Sequence, residues 1–224
     1  VAQTAPQLYC QLARMGMPDS DLARIRAACL LGARVTAGLL RGSGKPFACH
    51  LVGVASLVAE CLPGDADAIV AALLHAMYQE RVPFGTDSDT RRQRLLGAAG
   101  ERVETLVARY EDASPLCSTM ERPDTRDPLS RIVRVMQLAD ELEDAVDGGP
   151  WWHGSPEDGP EDPGSAEHRA RRFLSYGPCY ALAPELGAPS LLLRWQVIRD
   201  SWVDGHWPVA FRSGKRTSFS VEWD

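Results

Sequence analysis

Wherever this chain stays apolar for long, its apolar residues recur three and four apart, and nowhere do they alternate singly for more than a few positions. Such a chain has helical stripes to bury and no half-buried strands, so the stripes must pack on one another. Strand–helix alternation is missing too, which argues against an α/β nucleotide-binding fold. The expectation is one all-α domain of seven to eight helices.

The first stripe opens at Asp19-Ser20-Asp21, a good capping cluster, and runs through Leu22, Ile25, Ala28, Cys29, Gly32, Val35 and Leu39 to the stop Arg41-Gly42-Ser43-Gly44. Pro46 suits the first turn of a second helix, which ends at Pro63-Gly64. A third, capped by Asp65 or Asp67, is expected over 68–78. Residues 81–89 read as a loop, followed by helices over 91–96 and 102–111. The stretch 129–146 has the clearest period, with Ile132, Val133, Met136, Leu138, Ala139, Leu142 and Val146 on one face. Residues 148–164 hold four prolines and many acids and read as a loop or lid. Two last helices are expected over 166–174 and 191–202. The domain then spans 19–206, with an N-terminal extension over 1–18 and a tail over 207–224.

At 224 residues the chain can bury a sizeable core. Its net charge of −6 argues against a general nucleic-acid partner, which needs a basic surface to meet phosphates. None of the six cysteines forms a C-x-x-C pair, and most lie in apolar helical runs, as reduced buried thiols do. The amino terminus lacks the basic and apolar regions of a signal peptide, and no apolar run approaches the roughly 18 residues of a membrane span. These features predict a cytoplasmic protein with no membrane partner, and they leave room for a local basic pocket that takes one phosphorylated small molecule.

Gly42-Ser43-Gly44-Lys45 invites a phosphate-loop reading and fails it. Leu39 stands at the first glycine position, Pro46 follows the lysine, and the preceding element is a helix. More informative are His50, His75 and Asp140, each inside an apolar helix. Any one of them alone reads as a hydrogen-bonded structural group. Three on three helices can converge, either hydrogen-bonding one another or holding a divalent first-row ion, which imidazole and carboxylate suit.

Arg41-Gly42-Ser43-Gly44-Lys45-Pro46-Phe47-Ala48-Cys49-His50 resembles the first motif of the alarmone, (p)ppGpp, synthetase/hydrolases and their small hydrolase relatives, in the HD superfamily. Ala71-Ala72-Leu73-Leu74-His75-Ala76 and Leu138-Ala139-Asp140-Glu141-Leu142 resemble the two later metal-site segments, in order and with the family's spacing, over about residues 20–147. The resemblance implies an HD-like fold and a divalent metal (Mn, Fe or Zn) on His50, His75 and Asp140. It also implies substrate binding by Arg41, stacked on a base, with Ser43 and Lys45 near the same pocket. The departures are specific. The doublet aspartate is Ala76, the acidic pair after the second histidine is Gln79-Glu80, and Asp144 stands where an asparagine is expected.

Glu80 is then the remaining acid/base candidate, with Tyr78 as a proton donor if its helix continues past His75, and Asp144 joins the substrate-binding set. Two histidines and one carboxylate permit phosphoester hydrolysis by metal-activated water, or oxygen chemistry at an iron with open positions. A looser resemblance, to HD-like proteins of unknown role, rests on Leu73-Leu74-His75-Ala76-Met77-Tyr78 and on Gly100–Val107. It implies a scaffold turned to another small molecule, as in bacterial specialised metabolism, with or without a metal; a non-catalytic small-molecule binder is the third reading. His153 beside Trp151-Trp152 reads as an exposed residue of a loop that the two tryptophans pack down, with a lid role as the alternative, while His168 among Arg169, Arg171 and Arg172 reads as a solvated face and His206 near Trp207 as a structural residue.

Overall fold

The apolar stripes become helices packed around two buried ones. The computed structural model describes residues 1–41, 44–113, 127–146 and 172–203. In chain order the helices are α1 (Ala5–Arg14), α2 (Asp19–Val35), α3 (Phe47–Cys61), α4 (Ala66–Leu74), a 3₁₀ turn (His75–Tyr78), α5 (Ser88–Ala99), α6 (Glu101–Asp112), α7 (Pro128–Val146), α8 (Gly177–Ala181) and α9 (Pro189–Val203). Among the described residues the only β feature is an isolated Leu40–Pro46 bridge, so the chain is all-α.

The sequences of α3 and α4 are apolar nearly all round, and accordingly they form the centre. Around them α2, α6 and α7 each contribute one apolar stripe, and α7 buries Ile132, Val133, Met136, Leu138, Ala139 and Leu142. The expected 1–18 extension contains α1, whose Leu8 and Leu12 are fully buried. Ahead of α1, the Ala2 amide donates to Ser56 Oγ of α3 at 2.8 Å. At the far end Phe173, Tyr180 and Trp195 form an aromatic cluster, and the Tyr180 hydroxyl donates to the Leu138 carbonyl of α7 at 2.8 Å. No described helix is long and apolar enough to cross a membrane.

Helix α5 runs past both ends of the expected 91–96, and two further boundary differences shape the site. Helix α2 stops at Val35 rather than near residue 39. The Thr36 hydroxyl turns back onto the Gly32 carbonyl at 2.7 Å, and Gly38 takes φ of 79°, which ends the helix. The chain then folds over so that the Arg41 amide donates to the Lys45 carbonyl at 2.8 Å, setting both basic residues beside the start of α3. The third helix ends at Leu74 rather than Tyr78, and tightens into the 3₁₀ turn that begins with His75. The 148–164 loop, the 207–224 tail, Ser43, His153, His168 and His206 lie outside the described residues.

Candidate metal centre

On α3 His50 faces α7, and on α7 Asp140 faces back. His50 Nε2 stands 2.9 Å from Asp140 Oδ1, and His75 Nε2, from the 3₁₀ turn, stands 3.6 Å from the same oxygen. One ligand atom from each of the three lies within 4.8 Å of the others. The two imidazoles meet edge to face, with centroids 5.4 Å apart.

Each ring is oriented from behind. His50 Nδ1 is 2.6 Å from Glu143 Oε2, and His75 Nδ1 is 2.8 Å from the Ala72 carbonyl. A carbonyl accepts only, so His75 Nδ1 carries the proton and its Nε2 keeps a lone pair toward Asp140. Asp140 Oδ2 accepts from the Tyr110 hydroxyl at 2.5 Å, leaving Oδ1 for the centre. His50 Nε2 and Asp140 Oδ1 are both buried, and neither makes a hydrogen bond of acceptable geometry. Buried polar atoms are seldom left unsatisfied. Two such atoms aimed at one point, with each residue's other atom tied down, are the donor arrangement a divalent ion takes.

The charges agree. Burial disfavours a carboxylate at Asp140, yet His75, His50 and Arg41 outweigh it and hold the group well below the usual carboxylate range. Burial keeps His75 below the ordinary imidazole value despite Asp140. Burial also opposes charge on His50, but the Asp140 and Glu143 carboxylates on either side of the ring overcome it and push the group up to about 9. Without a metal, the second His50 proton occupies part of the place the ion would take.

Arg41 and Lys45 are at this centre, already engaged. Arg41 pairs with Asp144 through Nε at 3.0 Å and through Nη2, and its guanidinium sits 5.3 Å from the Phe47 ring centroid. The aromatic partner foreseen as a substrate base is thus met, here, by the protein's own ring. Lys45 Nζ pairs with Glu143 Oε1. Asp144 also lies 3.4 Å from His50 Nδ1.

Tyr78 and Glu80 are placed elsewhere. Residues three apart in a 3₁₀ turn eclipse but are separated by about 6 Å along the axis, at roughly 2 Å per residue. His75 and Tyr78 therefore both face α6, but at different heights. The His75 ring meets Tyr110 at 5.2 Å, whereas the Tyr78 hydroxyl donates to Glu104 at 2.7 Å. Tyr78 and Glu80 line an open cleft of about 680 Å³ between α5 and α6, whose lining includes none of His50, His75 and Asp140. The proton-donor expectation for Tyr78 required a continuous helix, which is not formed. Tyr110 and Glu143 are the functional neighbours that sequence reading missed. Glu143 sits three residues after Asp140 on the same helix face, and that spacing was its only signal.

The fold and site thus define an all-α domain with a histidine–histidine–aspartate centre of the kind that binds a divalent metal. The family model described as HD domain matches residues 28–140, from mid-α2 to Asp140 itself, and the chain belongs to the HD domain family. HD domains typically bind a divalent metal, and the cluster of His50, His75 and Asp140 is a candidate site. No curated protein matches the chain.

Proposed function

We propose that this HD domain is a metal-dependent hydrolase acting on a phosphorylated or nucleotide-like small molecule. The observation that carries the reading is the convergence of His50 Nε2, His75 Nε2 and Asp140 Oδ1, two of them buried and without hydrogen bonds. Nitrogen and carboxylate donors suit Mn²⁺, Fe²⁺ or Zn²⁺. A bound divalent ion supplies Lewis acidity and lowers the pKa of a coordinated water, which is what phosphoester attack needs at neutral pH.

The chain's own residues do the holding. Tyr110 fixes the Asp140 carboxylate and the Ala72 carbonyl fixes the His75 ring. The side chains of Asp140 and Asp144 are 21% and 28% exposed, so solvent reaches the edge of these two carboxylates beside the buried ligand atoms. The Arg41 guanidinium, 13% exposed, stands at that rim as a group to orient an anionic substrate. Glu80, as acid or base, would have to move from the α5–α6 cleft to reach the substrate.

Ala76, fully buried after His75, stands where the resembled alarmone hydrolases carry a fourth ligand. The remaining two-histidine, one-carboxylate set favours, as a second reading, oxygen chemistry at Fe²⁺ in a repurposed HD enzyme.

Elemental mass spectrometry of the purified protein and of His75→Ala tests the metal. Near-stoichiometric Mn, Fe or Zn in the wild type and its loss in the variant are expected. Phosphate release across a nucleotide panel then supports hydrolysis, whereas oxygen uptake without phosphate release supports the second reading. A protein that takes up no metal even after reconstitution sinks both and leaves a metal-free pocket, in a repurposed enzyme or a non-catalytic binder.

A further inference from the structure

We infer that Glu143 is a positioning residue for the metal centre, its carboxylate gripping His50 Nδ1 so that Nε2 is aimed at the ion, with Gly53 leaving the space it needs. The inference rests on the metal-binding reading above and adds to it a residue and a gap that the ligand set does not contain.

The two helices carry matching pairs. Asp140 and Glu143 are three apart on α7, and His50 and Gly53 are three apart on α3, so each pair shares a helix face. Asp140 meets His50 on one ring nitrogen at 2.9 Å, and Glu143 meets it on the other at 2.6 Å. The His50 imidazole is thereby held from both sides by one helix.

The Glu143 side chain is 1% exposed. It lies directly against the backbone of α3 at Gly53. A Cβ added there would stand 2.4 Å from Glu143 Oε1, 2.6 Å from its Cγ and 2.7 Å from its Cδ. Gly53 has an ordinary helical conformation, and mid-helix glycine costs about 1 kcal/mol relative to alanine. Close approach by Glu143 accounts for it. The second carboxylate oxygen is held in turn, by Lys45 Nζ and by Gln3 Nε2 at 3.4 Å.

A buried carboxylate is a costly way to join two helices, since an apolar side chain of similar volume does so without desolvating a charge. It is suited to another task. Carboxylates behind metal-bound histidines fix the ring and raise its basicity, and their loss typically weakens metal binding by about 10- to 100-fold.

The test compares wild type, Glu143→Leu, Glu143→Gln and Gly53→Ala, each checked for folding by circular dichroism in chelator. Mn²⁺ affinity is read by calorimetry. In the metal-free proteins, the exchange-protected His50 Nδ1–H signal is read by ¹H–¹⁵N NMR. Glu143→Leu is expected to lose that signal and to bind Mn²⁺ about 10- to 100-fold more weakly. Gly53→Ala, which displaces Glu143 without changing it, should reproduce the weakening. Glu143→Gln retains an oxygen that accepts from Nδ1 and should recover most of the affinity. Unchanged Mn²⁺ binding in folded Glu143→Leu, or no protected Nδ1–H in the wild type, overturns the inference while the metal-binding reading stands. A wild type that binds none of Mn²⁺, Fe²⁺ and Zn²⁺ defeats that reading, and the positioning role falls with it.

Discussion

Burial alone would keep His50 neutral, yet Asp140 and Glu143 on either side of the ring push it up to about 9 from 6.5. A histidine whose pKa is raised on folding stabilises the fold fully below its unfolded value and loses that contribution as pH rises through the folded one. In chelator, unfolding free energy measured by urea titration should therefore fall between about pH 6.5 and 9. His50→Gln should flatten that fall. A metal must displace the same proton, so metal uptake near pH 7 should release protons, seen as calorimetric heats that depend on the buffer. Tyr110 acts from the other side of the centre. Tyr110→Phe removes the donor to Asp140 Oδ2 and keeps the ring edge on His75. The expected result is metal affinity lower by about 10-fold in chelator competition, with the far-ultraviolet dichroism unchanged.

At the scale of elements, the centre depends on α3, α7 and the α4–3₁₀ junction holding their register. Helix α1 supports α3 from behind, through fully buried Leu8 and Leu12 and through Gln11, whose amide donates to the Ser56 carbonyl at 3.0 Å. Leu12→Ala should cost about 2–5 kcal/mol, read by urea denaturation, since the methyl groups lost leave a cavity in packed surroundings. An unchanged midpoint would show that α1 is dispensable to the domain. The α4–3₁₀ junction also explains where periodicity misled. Residues 68–78 have one continuous apolar pattern, and nothing in it marks the change at His75 from a four-residue to a three-residue repeat. That change sends Tyr78 to Glu104 rather than to the centre.

For the whole molecule, a ligand that binds only the folded state raises its stability by mass action. Adding Mn²⁺ at 100 times its dissociation constant should stabilise the fold by about 2.7 kcal/mol, and His75→Ala should abolish the gain in thermal melts. The sequence by itself determined the all-α class, because a three-and-four repeat can bury its apolar face only as a helix. It also exposed His50, His75 and Asp140, since polar groups inside apolar stripes stand out against their surroundings. Glu143 did not stand out, because it sits in an acidic run with Asp140, Glu141 and Asp144 and reads there as one more solvated charge. Tyr110 lies on an amphipathic helix among other partly buried apolar residues, and no motif or spacing in the sequence marks it out. Only the tertiary structure decided which of these reached the centre. Hydrogen bonds and Coulomb contacts act over a few ångströms, and the partners of His50 lie 90 and 93 residues away along the chain, brought near by the packing of α3 on α7.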